Sequence, residues 1–183
     1  MSQAVAICGT GADAGTSAIG SSAWTNPTNI QANDANNATS SGAQWTNWLR
    51  GTNFGFSIPA GNIITDVKFD VDIKSYTQSG GSASGWNAQL YDSGLIGSQQ
   101  GNTFGTLLNT LLTIVSGGLW GATLTPSIVN GSGFGVQLYV DAFSPNTITA
   151  CPLNYFSLTI TYIAGGMVFT QRRSAAVRRA AYW

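Results

Sequence analysis

The 183-residue chain contains no histidine and no glutamate, and charged residues make up only 8% of it. An ordinary soluble domain carries about 25%. Solubility therefore falls to Asn, Gln, Ser, Thr and Gly, a surface chemistry met in extracellular, viral and surface-layer β proteins. Without histidine there is no Ser-His-Asp triad, no Cys-His pair and no imidazole metal site. The two cysteines, Cys8 and Cys151, are too few for a four-thiolate zinc centre. Apolar runs such as 111–115 fall far short of the roughly 20 residues that span a bilayer. The opening Met-Ser-Gln-Ala-Val-Ala-Ile-Cys-Gly has no basic start and only a short apolar stretch, so cytoplasmic synthesis without a signal peptide is expected. In that reducing setting the cysteines are expected as buried thiols rather than a bridge. No cofactor and no metal centre is expected, and no residue set for catalysis stands out.

What charge there is divides unevenly. Residues 1–163 carry Arg50, Lys68 and Lys74 against all seven aspartates, a balance of −4, while 164–183 carries +4 and no acid. The basic end consists of Arg172, Arg173, Arg178 and Arg179, followed by Tyr182 and Trp183. Such a tail on a weakly acidic body predicts an anchoring segment that docks on a partner protein. Arg pairs bidentately with carboxylates, and Tyr and Trp supply interface anchors. Four charges on a body of opposite sign make a poor nucleic-acid binder, and the tail lacks the Leu, Phe and Lys of a membrane-surface helix.

Period-two alternation dominates the body. Ile63, Thr65, Val67, Phe69, Val71 and Ile73 alternate with a stripe of Asp66, Lys68, Asp70, Asp72 and Lys74. This predicts a long strand with the first set in a core and the stripe in water. Phe134–Val140 and Phe156–Tyr162 follow the same rule, and weaker strands are expected at Val5–Cys8, Phe54–Ile58, Trp86–Tyr91 and Leu111–Val115. Gly/Ser/Asn clusters separate them. Seven or eight short strands in one unit predict an all-β, antiparallel β-sandwich over 1–163, with a jelly roll as the version that best covers strand edges. Segment 11–42 holds only Ile19, Trp24 and Ile30 as large apolar residues, and is expected as an irregular overlay pinned by Trp24 and Ile30.

Three stretches carry a resemblance. They are Ala23-Trp-Thr-Asn-Pro-Thr-Asn-Ile through Ala38-Thr39, Phe54-Gly-Phe-Ser-Ile-Pro through Val71, and Gly133-Phe-Gly-Val-Gln-Leu with the closing Ser157-Leu-Thr-Ile-Thr-Tyr162. Together, over about residues 20–163, they resemble the jelly-roll module of tailed-phage virion proteins, used in capsid decoration (cement) proteins and in fibre or appendage heads. The resemblance implies a virion protein that docks on the major capsid protein or another virion component, as a homotrimer; the tail's charge and composition imply no nucleic-acid or membrane partner. The tail lies outside the resembling pattern.

Three other constellations have competing readings. Asp70 and Asp72 would place carboxylates about 6–7 Å apart on one strand face, which invites a glycosidase pair. A solvated mixed-sign stripe explains them without catalysis. Asp34 lies in Asn33-Asp-Ala-Asn-Asn37, oxygen-rich enough for calcium yet equally explained by Asx turns. Trp45, Trp48 and Trp86 could form a sugar-stacking platform for host glycans, the function of an appendage head; the other reading is that they cap the sandwich.

Overall fold

A computed structural model describes residues 1–80, 83–105, 110–115 and 117–165. In chain order the strands are β1 (Ser2–Ile7), β2 (Thr10–Asp13), β3 (Ala38–Ser40), β4 (Leu49–Thr52), β5 (Ile63–Ile73), β6 (Thr77–Gln78), β7 (Ala83–Asp92), β8 (Leu95–Gly105), β9 (Thr110–Val115), β10 (Phe134–Asp141) and β11 (Ile148–Ile163). They form two antiparallel sheets. The first runs β1-β11-β5-β9, with the short β3 and β6 added to β11, and the second runs β2-β4-β10-β7-β8. Apart from the short β6, the chain from β4 onward alternates between sheets, keeping β7 and β8 together as a hairpin. The resulting orders, β1-β11-β5-β9 and β4-β10-β7-β8, are those of a jelly-roll sandwich.

The alternation in the sequence places the core between the sheets. Val67, Phe69, Val71 and Ile73 of β5 and Phe156, Leu158 and Ile160 of β11 are buried, together with Val136, Leu138 and Val140 of β10 and Ala88 and Leu90 of β7. The Phe69 and Phe156 rings meet edge-to-face, with centroids 5.0 Å apart, the arrangement that the aromatic quadrupole favours. Cys8 and Cys151 are free and buried. Burial pushes the Cys8 thiol up to about 12 and raises that of Cys151 as well.

Four features depart from the expected pattern. The alternation of β5 breaks at its start: Thr161 pairs with Asp66 but Tyr162 pairs with Ile64, so Thr65 bulges out of the ladder. One extra residue inverts the parity beyond it, leaving Ile64 at 3% exposure and turning Ile63 outward at 52%. Second, Asp70 and Asp72 occupy the outer face but are only 7% and 6% exposed. Their strand is interior to its sheet, between β11 and β9, and each carboxylate is covered by its own lysine, Lys68 Nζ at 2.9 Å and Lys74 Nζ at 2.6 Å. Third, Phe54–Ile58 has no strand partner, although Phe54, Phe56 and Ile58 are buried as the alternation implied. The Asn130 side chain stands in for a partner strand, accepting from Ile58 N at 2.8 Å and donating to Ile58 O at 2.9 Å. Fourth, β8 was not expected, because its Gly, Gln, Ser and Asn residues dilute any apolar period. As an edge strand it gains its order from pairing with β7 rather than from burial.

Segment 11–42 is fastened by polar bonds as well as by apolar anchors. Trp24 and Ile30 are buried. The Asp13 carboxylate accepts from Gly15 N and Trp24 N, both at 2.8 Å, and from Asn47 Nδ2 at 3.0 and 3.1 Å. Trp24 Nε1 donates to Asn47 O at 2.7 Å. Farther along, the fully buried Asn154 side chain holds the backbone of Asp34, donating to its carbonyl and accepting from its N–H.

Candidate binding faces

The two outer sheet faces differ in chemistry, and register decides which side chains share each. On the first sheet, Val5, Thr159 and Lys68 form one cross-strand row, and Ile7, Ser157, Asp70 and Thr113 form the next. Beyond the bulge Ile63 pairs with Ile163, and near the other end Leu111 pairs with Asp72. Nine large apolar residues are exposed among the described residues, and five of them, Val5, Ile7, Ile63, Leu111 and Ile163, lie on this face. Short hydroxyl side chains fill its centre. Asp70 also accepts from Thr113 Oγ1 at 2.6 Å, so both central carboxylates are already engaged.

The second sheet's outer face is aromatic and amide-rich. Gln137 of β10 lies between Arg50 of β4 and Gln89 of β7, and Gly135 lies between Thr52 and Tyr91. A side chain at position 135 would collide with the carbonyl of Gly51, so only glycine fits beside Tyr91. Arg50 stacks over the Tyr91 ring, its Cζ 3.8 Å from the centroid, a cation–π contact. Its Nε and Nη2 both donate to Gln137 Oε1 at 3.3 Å. One strand step away, Trp48 and Tyr139 meet edge-to-face at 4.6 Å.

The expected site residues fall in different places. Trp86 is buried in the core, so it offers no ring face to a sugar and leaves the proposed Trp platform. Trp45 and Trp48 are half-buried, and only Trp48 sits among the amides of the second face. Trp120 is buried, with Nε1 donating to Val67 O at 3.1 Å. Asp34 Oδ1 accepts from Asn36 N at 2.7 Å, an Asx turn, and no group of three or more His, Cys, Asp or Glu residues gathers among the described residues. Arg172, Arg173, Arg178, Arg179, Tyr182 and Trp183 lie outside the described residues. The Arg50 cluster was missed because β4 has only four residues, too short for an alternation to register. The matching parity of Trp48, Arg50 and Thr52 was the available signal.

No pocket opens among the described residues, and none of their helices is long and apolar enough to cross a membrane. Compared with known proteins, the chain matches no family model, no curated protein and no solved structure.

Proposed function

We propose that this chain is a structural component of a tailed-phage virion, a capsid decoration protein that docks on the major-capsid lattice and associates with copies of itself as a trimer. The observation that carries the reading is the first sheet's outer face. Exposed apolar residues scattered over a surface need no explanation, whereas five on one flat face, with small hydroxyl residues between them, suit a subunit contact. Because Asp70 and Asp72 hold their own lysines, covering the face strands neither carboxylate without a partner. The sequence resemblance supplies the virion setting.

In this account the basic tail is the lattice anchor. The paired Asp70 and Asp72 make a poor acceptor for it on a neighbouring copy, so its arginines meet acidic residues of another virion protein. Quantitative mass spectrometry of purified particles tests the assignment. A copy number on the scale of the capsid lattice is expected; one on the scale of a single tail or neck would overturn the decoration role.

A further inference from the structure

We propose that the second sheet's outer face is a binding platform for a carboxylate-bearing saccharide, with Arg50 receiving the carboxylate. The proposal stands apart from the docking face, which belongs to the other sheet.

Arg50 is the one lysine or arginine among the described residues without a carboxylate partner, since Lys68 and Lys74 are paired with Asp70 and Asp72. It is nevertheless held firmly. Tyr91 supports one face of the guanidinium, and Gln137, itself only 3% exposed, takes the Nε–Nη2 edge. That leaves the terminal edge, Nη1 with the second N–H of Nη2, free and pre-oriented. Two parallel donors on such an edge match a carboxylate bidentately, and a side chain already fixed loses little entropy on binding.

The neighbours specify the rest of the ligand. Gln89 donates to Gly97 O at 3.0 Å and keeps its own carbonyl oxygen free. Asn87 accepts from Gln99 at 2.7 Å and keeps its own amide N–H groups free. Neutral donors and acceptors beside the Trp48–Tyr139 ring pair suit hydroxyls and the apolar C–H face of a sugar. Exposed aliphatic groups, which a protein partner would need, concentrate on the opposite sheet, where five of the exposed large apolar residues lie; this face carries Leu95, paired with Tyr91, and the Phe143 ring against Gly85. A flat face without a pocket fits an extended oligosaccharide lying across the strands.

The test uses the full chain in calorimetric titrations against a panel of acidic oligosaccharides: tri-galacturonate, a hyaluronan tetrasaccharide and a disialic acid. Each is matched with its carboxyl-reduced, neutral counterpart, and an oligo-glutamate peptide is run alongside. At least one acidic saccharide is expected to bind, its neutral counterpart about tenfold or more weaker, and Arg50→Gln is expected to cause a similar loss. Asn87→Ala, which leaves Arg50 and its supports untouched, should weaken the same saccharide without changing the thermal midpoint by more than a degree or two, roughly what a surface change produces. Equal binding of acidic and neutral forms overturns the proposal, as does an unchanged affinity in a folded Arg50→Gln protein. Binding of the peptide with no saccharide bound overturns it in favour of a protein carboxylate, and no binding at all overturns it outright.

Discussion

Ile63 and Ile64 are adjacent and chemically identical, yet the Thr65 bulge assigns them to opposite faces. Truncating each to alanine tests that single backbone feature. Ile64 is 3% exposed, and emptying a core position of this kind costs about 2–5 kcal/mol. Ile63 is 52% exposed. Burying an isoleucine fully is worth roughly 1.5–3 kcal/mol, so losing a half-covered one should cost about 1 kcal/mol or less. Urea denaturation at concentrations low enough to prevent self-association reads both. With a slope of about 2 kcal/mol per molar, Ile64→Ala should lower the midpoint by about 1–2.5 M and Ile63→Ala by about 0.5 M or less, with the slope itself unchanged. If Ile63→Ala proved equal or worse, the ladder would run without a bulge. Ile63 would then point inward, and the first outer face would lose one of its five apolar residues.

Three further outcomes follow from the packing and the charges. Phe69→Ala should cost about 3–5 kcal/mol by urea unfolding, since its ring is fully buried against Phe156 and Trp120; a loss under about 1 kcal/mol would contradict the core assignment. Asp13→Ala should cost about 1–3 kcal/mol, because it strands the Trp24 N–H and the Asn47 amide, and near-ultraviolet circular dichroism should report a loosened Trp24. At alkaline pH, stability should decline: burial raises Cys8 from 9.0 to about 12 and Tyr76 from 10.0 to about 12 in the folded chain. Unfolded molecules therefore lose these protons first, so the stabilisation is complete below pH 9 and drains away as pH rises toward 12. Cys8→Ala combined with Cys151→Ala should flatten that decline, and an unchanged slope would remove the thiols from the explanation.

Much of the architecture was legible because strand parity and burial coincide over long stretches. Val67–Ile73 and Phe134–Val140 place inward and outward residues as a two-residue period dictates. What stayed illegible had local causes. A bulge adds a residue that composition does not mark, so Ile63 changed faces. The exposure of Asp70 and Asp72 depends on where β5 sits in its sheet and on lysine stems folded over them, neither of which a strand pattern contains. Strands β4 and β8 were hidden for opposite reasons, one too short to show a period and the other too polar. The site followed suit: the Trp residues were visible as a set by type, but pairing across β4, β10 and β7 sent Trp86 inward and assembled Arg50, Gln137 and Tyr91 from three separate stretches.

Sedimentation of the isolated protein tests the assembly account most directly. Five aliphatic side chains on one sheet face, including Val5 at 67% and Leu111 at 54% exposure, should drive association that buries above about 1,000 Å² per pair, the scale of a specific contact. A three-copy species is expected at micromolar concentration, with dissociation to monomers on Val5→Asp and an unchanged far-ultraviolet spectrum. A wild-type protein that sediments as a monodisperse monomer under the same conditions would contradict it.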